Sequence, residues 1–223
     1  MLTTQATLFP QLQTYCQSLH GEFDRITEDR KAVLHTLSGF VSGKISQNQV
    51  VNLTYICTHN SRRSQFGQAW AKVAAIWYGL ADDQVKTWSG GTETTAFNPR
   101  AVAALQRAGF AIKDDNDPEN PRYSVQFSEA HQPLTMFSKI FSDAFNPSDN
   151  YCALMVCTSA DEACPVVFGA DARISLPYED PKRSDGMPQE SQSYDDTCRL
   201  IARELFYTFA YATGHLPKPI AKG

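Results

Sequence analysis

Cys57 and Arg63 enclose five polar residues, Thr58, His59, Asn60, Ser61 and Arg62, and Ser64 follows directly. That spacing can do oxyanion chemistry. A thiolate is a nucleophile, and a guanidinium is a planar fork for two oxyanion oxygens. A short loop between them can turn its backbone N–H groups onto one centre. A helix beginning just after the arginine adds the positive end of its macrodipole, and a cysteine in such a field loses its proton easily. Ser64 can bond to the Cys57 sulfur and stabilise its anion. Asn60 and Ser61 suit a loop with unusual backbone angles. The chemistry is a thiolate attacking an arsenate- or phosphate-like centre, with Cys57 as nucleophile and residues 58–64 as the oxyanion loop.

The flanking residues supply the elements that such a loop needs. Residues 50–56 are apolar and β-rich, which predicts a strand delivering the cysteine. Residues 64–79 carry Phe66, Ala69, Trp70, Val73, Ala74 and Trp77 on one helical face. A second strand is expected over 85–89. A helix follows, with Asn98 as N-cap, Pro99 at its first position and Gly109 at its end. This alternation implies a parallel sheet with helices on both faces, and the loop at the carboxyl edge of the first strand.

Outside that unit, residues 1–48 read as two helices broken near Gly21. Leu8, Leu12, Tyr15, Cys16 and Leu19 share one face; Ile26, Val33, Leu37, Phe40 and Val41 share the other. Residues 45–49 read as a linker. Residues 113–150 interrupt the rhythm, with a loop at 114–118 and a hairpin of strands at 122–127 and 134–137. The parallel pattern resumes at 153–156. A final helix aligns Tyr194, Cys198, Ile201, Leu205 and Phe209 and ends near Gly214.

Composition narrows the function class. A net charge of −4, a pI near 5.7 and scattered Lys and Arg argue against nucleic acid as a partner. No run is long or apolar enough for a bilayer, and the first residues lack the charged and apolar regions of a secretory signal, so no membrane partner and a cytoplasmic home are expected. Six cysteines in such a chain point to free thiols, and to redox chemistry where two fall close together. His20, His35, His131 and His215 are dispersed and form no metal-ligand spacing; no metal or cofactor is expected. Cys16 and Cys198 fall on apolar helical faces and read as core.

The segment from Cys57 to Gln65 resembles the loop of the low-molecular-weight protein tyrosine phosphatases, and more closely that of their redox relatives, the thioredoxin-coupled arsenate reductases. Ser89-Gly90-Gly91-Thr92 resembles the family's small-residue turn, and Asn98-Pro99-Arg100 the start of its second helix. Cys157 and Cys164-Pro165 are similar to the reductases' paired resolving cysteines, and Tyr178-Glu179-Asp180-Pro181 to the loop carrying the family's general acid. The resemblance covers roughly residues 50–112 and 150–212. It implies a three-layer α/β/α fold around a four-stranded parallel sheet. A helical extension over 1–48 would precede a phosphatase- or reductase-like unit over 49–223, with the hairpin inserted at about 113–150.

The resemblance also implies roles. Cys157 ends a predicted strand much as Cys57 does, so both belong at one sheet edge. As a relay, Cys157 would attack a Cys57-bound arsenic adduct and Cys164 would then attack Cys157. The resulting pair would be reduced by a thioredoxin-like partner. The intervening residues 158–163 are expected to be a mobile loop, because two bridges must form in turn. Asp180 would be the acid, its pKa raised by like charge in the loop, with Glu179 and Asp185 as competitors. His59 contributes its backbone N–H, and Arg62 is expected to face solvent. Some reductases hold potassium behind the loop on an acidic residue, and Gln68 stands at that position. The phosphatases place an aromatic residue just beyond the Asp-Pro pair, whereas Lys182 and Arg183 follow here. Arsenate reduction therefore leads. A phosphomonoesterase using Cys57, Arg63 and Asp180, and a non-catalytic oxyanion- or phosphoprotein-binding module, remain as alternatives.

Overall fold

The structure, a computed structural model, describes residues 8–164 and 166–216. Pro165 and the first residues, on which two of the expectations above fall, lie outside them. Helices α1 (Pro10–Leu19) and α2 (Glu28–Ser46) are joined by a 3-10 turn, His20–Arg25, at the expected break. Thr27 caps α2 by accepting from the Arg30 N–H. Two details differ from the sequence reading. Leu8 precedes α1 and forms an isolated bridge with Ser128, because Pro10 supplies the helix with its first residue. Helix α2 runs on through Ile45 and Ser46, so the expected linker begins only at Gln47.

Strand β1 (Val51–Cys57), helix α3 (Arg63–Trp77), strand β2 (Val85–Gly91) and helix α4 (Pro99–Ala108) follow as expected. The α4 caps are those read from sequence. Asn98 Oδ1 accepts from the Arg100 N–H at 2.9 Å, and Gly109 takes the left-handed conformation at φ 111°. Strands β3 (Ala111–Asp114), β4 (Tyr123–Gln126) and β5 (Leu134–Met136) form a separate antiparallel sheet. The predicted hairpin is therefore present, with β3 added beside β4. Strand β6 (Tyr151–Met155), helix α5 (Thr158–Ala163), strand β7 (Ala170–Ser175), a 3-10 turn at Pro181–Ser184 and helix α6 (Glu190–Ala212) complete the chain.

The main sheet has four parallel strands in the order β2-β1-β6-β7, with helices on both sides. Its two central strands are buried along nearly their whole length, as a parallel sheet covered on both faces requires. Trp70 ties α3 to α6 by donating to the Cys198 sulfur at 3.1 Å, and it packs edge-on against Phe110. Cys16 and Cys198 are core residues, and burial pushes the Cys198 thiol up to about 12. Arg30 on α2 forks onto Glu204 of α6 and lies 4.7 Å over the Tyr178 ring, so the N-terminal helices reach beneath the segment that carries Asp180. Among the described residues no helix is long and apolar enough to cross a membrane.

Candidate active site

Strand register brings the chemistry to one edge. Cys57 ends β1 opposite Gly91 of β2, and Ile56 pairs with Met155 of β6, two residues before Cys157. Beyond β7 the chain stays beside this edge, since Leu176 and Tyr178 donate their N–H groups to Met155 and Val156. Asp180 follows two residues later.

The loop after Cys57 is built by fixing its carbonyls. Thr92 N–H meets Cys57 O at 3.1 Å, and Glu93 N–H meets Thr58 O at 2.8 Å. His59 O accepts from Thr95 and Ser138 hydroxyls, Asn60 O from the Gln65 amide, and Ser61 O from Asn98 N–H. Among the described residues no protein acceptor meets the N–H groups of Thr58, His59, Asn60, Ser61 or Arg62. Donors left free at the start of a helix are what an anion needs. Asn60 turns the loop at φ 47°, a left-handed conformation that asparagine tolerates. Gly91 lies so close that an added Cβ would sit 2.6 Å from Thr58 O and 2.8 Å from Asn60 N.

Cys57 is only 3 % exposed, and its sulfur lies 3.1 Å from Ser64 Oγ. The direction of that bond follows from its neighbours. Asn60 Oδ1 accepts from Lys139 N–H at 3.0 Å, so Asn60 Nδ2 donates to Ser64 Oγ at 2.8 Å. Ser64, having accepted there, has its own proton left for the sulfur.

Arg63 and Arg62 both turn to Asp180. Arg62 Nε and Nη2 reach its two carboxylate oxygens at 2.8 and 3.2 Å, and Arg63 Nη2 reaches Oδ2 at 2.7 Å. Arg63 Nη1 donates to Tyr178 O, while its buried Nε has no hydrogen-bond partner among the described residues. Arg62 is thus 8 % exposed and bound, not turned to solvent, because it forms half of a two-arginine clamp. The pKa expectation for Asp180 is likewise reversed. Burial pushes its carboxyl up, but the Arg62 hydrogen bond and the Arg63 and Arg62 charges outweigh burial and hold it below the ordinary value. Its competitors are drawn elsewhere: Glu179 pairs with Arg183, and Asp185 accepts from Tyr194 OH at 2.8 Å.

Cys157 is buried at the same edge, its sulfur 3.5 Å from Thr58 Oγ1. The expected mobile loop after it is instead helix α5, for which the Cys157 sulfur accepts from Ala160 N–H at 3.4 Å. Cys164 follows the helix and is half-buried. Arg173 on β7 holds the far end of the helix, donating to Cys164 O at 3.0 Å and to Asp161 O at 2.7 Å. Behind the loop of residues 58–62, Gln68 Oε1 accepts from Ser89 Oγ at 2.6 Å, and the Gln65 amide donates to Asn60 O and Phe137 O. Among the described residues no group of three or more His, Cys, Asp or Glu could hold a metal ion. The sequence reading missed Ser138, Lys139 and Asn120; an Asn, Ser or Lys carries no local signal of a partner distant in the chain.

No family model matches the chain. An arsenate reductase of Bacillus subtilis is 29 % identical over 140 residues, covering 63 % of this chain and 81 % of the relative. An arsenate reductase of Staphylococcus aureus is 42 % identical over 60 residues, covering 27 % of this chain and 41 % of the relative. Among solved structures, a low-molecular-weight phosphotyrosine phosphatase of Vibrio cholerae matches with a TM-score of 0.46 and 14 % identity, covering 71 % of this chain and 93 % of that one. In sequence the chain is similar to the arsenate reductases.

Proposed function

We propose that the protein is an arsenate reductase that works through Cys57, Cys157 and Cys164. Arsenate binds the loop N–H groups and the Arg63 fork, displacing the Asp180 carboxylate. The Cys57 thiolate attacks arsenic, and an arsenic-bound oxygen leaves as water with a proton supplied by Asp180. The Cys157 thiolate then attacks the Cys57 sulfur. An S–S bond forms, the As–S bond breaks with its electron pair passing to arsenic, and arsenic(V) leaves as arsenite. Cys164 attacks Cys157, Cys57 departs as thiolate, and a dithiol partner of the thioredoxin kind reduces the Cys157–Cys164 disulfide.

The observation that carries this reading is the second thiol at the loop, the Cys157 sulfur 3.5 Å from Thr58 Oγ1. An ester hydrolase needs only water as its second nucleophile, so a buried thiol beside the loop has no task there. Helix α5 imposes a condition. Seven steps at about 1.5 Å each put the Cys157 and Cys164 Cα atoms about 10 Å apart, beyond the about 7 Å that a disulfide spans. The helix must therefore unwind in the last exchange, and six residues make a helix short enough to do so. The test is turnover of purified protein on arsenate with thioredoxin, thioredoxin reductase and NADPH, run beside hydrolysis of an aryl phosphate. Hydrolysis without arsenate turnover would replace this reading with a phosphatase.

A further inference from the structure

Residues 113–150 stand outside the family resemblance, yet part of this insertion lies against the back of the oxyanion loop. Ser138 Oγ donates to His59 O at 2.9 Å and accepts from Thr95 N–H at 2.9 Å. Lys139 N–H donates to Asn60 Oδ1 at 3.0 Å, and Lys139 O accepts from Gly91 N–H at 2.8 Å. This short segment touches the loop and the Gly91 turn together. What fixes the segment in turn is Asn120, on the far side of the hairpin. Its Nδ2 donates to Ser138 O at 2.8 Å, and its Oδ1 accepts from Ser138 N–H at 3.2 Å. An asparagine amide is the shortest side chain that can give one donor and one acceptor to a single residue's backbone.

The consequence reaches Cys57. Asn60 is fully buried, and its amide has a donor end and an acceptor end. Lys139 N–H demands the oxygen, so the nitrogen must face Ser64, and Ser64 must then point its proton at the Cys57 sulfur. Were Lys139 N–H displaced, Asn60 could rotate and the Ser64 proton would no longer be committed.

We propose that Asn120 is a positioning residue for Cys57, acting through Ser138 and Lys139 to set the Asn60 amide and so the hydroxyl proton that stabilises the Cys57 thiolate. The inference rests on the reading of Cys57 as the nucleophile. The charged and titratable groups around the loop are Arg62, Arg63, Asp180, His59, its partner Glu93, Cys157 and, behind it, Lys139. Asn120 has no side-chain bond to any of them among the described residues, and its backbone N–H donates to the Asp117 carboxylate at 3.0 Å, a bond that substitution of the side chain leaves intact.

The experiment is iodoacetamide alkylation of the Cys57 peptide across pH, followed by mass spectrometry, in the parent, Asn120→Ala, Asn120→Asp, Ser64→Ala and the Asn120→Ala/Ser64→Ala double variant. Asn120→Ala should move the alkylation curve up by about one pH unit, the scale of a lost hydrogen bond to a charged group. Asn120→Asp keeps the acceptor and loses the donor, so it should move the curve less, and it serves if the alanine variant does not fold. In the Ser64→Ala background Asn120→Ala should add nothing, because the last donor of the line is already gone. The proposal is overturned if both Asn120 variants leave the curve in place, or if Asn120→Ala shifts it equally with and without Ser64. A parent curve matching that of a free thiol would instead overturn the nucleophile reading, and the proposal with it.

Discussion

Arg63 and Asp180 share a 2.7 Å ion pair beside the loop that follows Cys57, and Arg62 closes on the same carboxylate from the other side. Asp180 thus fills the fork that a substrate dianion would use, and it does so as an ionised group. A carboxylate held this way could act as a general acid only after an incoming anion had displaced it from the arginines.

Replacing Asp180 by Asn should therefore separate binding from turnover. The neutral amide competes less for the two guanidinium groups, so phosphate and arsenate should bind about tenfold tighter by calorimetry, roughly 1.4 kcal/mol. Cleavage of an aryl phosphate with a poor leaving group should fall by about 10²–10⁴-fold, and by less with a good leaving group. Unchanged anion affinity would mean that the carboxylate does not compete for the site.

The same ion pair contributes to folding. Because the folded carboxyl titrates below its ordinary value of about 3.9, its stabilisation is present above that value and is lost as pH falls through the lower folded one. In acid denaturation followed by circular dichroism, Asp180→Asn should be less stable than the parent at pH 6, and the gap should close in strong acid. A gap independent of pH would show that the loss is packing rather than charge.

Lys139 should have the opposite sign. Its side chain is 2 % exposed and lies over the Phe137 and Phe145 rings, and burial lowers its pKa from 10.5 to about 8. The folded state thus binds the proton less well, so stability should rise as pH increases from about 8 to about 10.5. Lys139→Met removes the buried charge while leaving the backbone bonds to Asn60 and Gly91. It should stabilise the protein at pH 7 by about 3 kcal/mol and flatten the alkaline rise. A destabilised variant with the rise intact would reject the burial argument.

The relay variants should fail at different steps. Cys157→Ser should release no arsenite by thiol exchange, yet keep any ester hydrolysis. Cys164→Ser should turn over once and stop as a Cys57–Cys157 disulfide, seen in non-reduced peptide mass spectra. Arg173→Ala frees the end of α5, so formation of the Cys157–Cys164 disulfide should quicken and amide exchange over residues 158–163 should rise. If both serine variants keep the parent's arsenate turnover, the three-thiol mechanism is wrong.

Loop anchoring makes a last prediction at Gly91. Gly91→Ala forces a Cβ against Thr58 O and Asn60 N, backbone atoms that cannot swing aside. Phosphate binding should fall by at least about tenfold, well beyond what any loss of thermal stability explains. Normal binding would show that the loop tolerates displacement.

Local pattern determined much of this protein. A β-rich run ending in Cys57, an amphipathic stretch after Arg63, and Asn98, Pro99 and Gly109 around one helix are short-range signals. The elements they specify form where expected because propensity, capping and periodicity agree. The common edge of Cys57 and Cys157 was also legible, since parallel strands of similar character end on the same side of a sheet. Tertiary structure decided what depends on partners distant in sequence. Residues 158–163 are small and polar and read as a loop, but the Cys157 sulfur caps them and Arg173, from the next strand, fastens their end, so they form a helix. Arg62 looked like a solvent residue until the chain near 180 returned beside it and supplied a carboxylate 118 positions away. The protonation of Asp180 reversed for the same reason: charge balance is a property of neighbours in space. The tie from Asn120 through Ser138 and Lys139 to Asn60 joins residues whose types are ordinary, and only folding makes their hydrogen-bonding ends coincide.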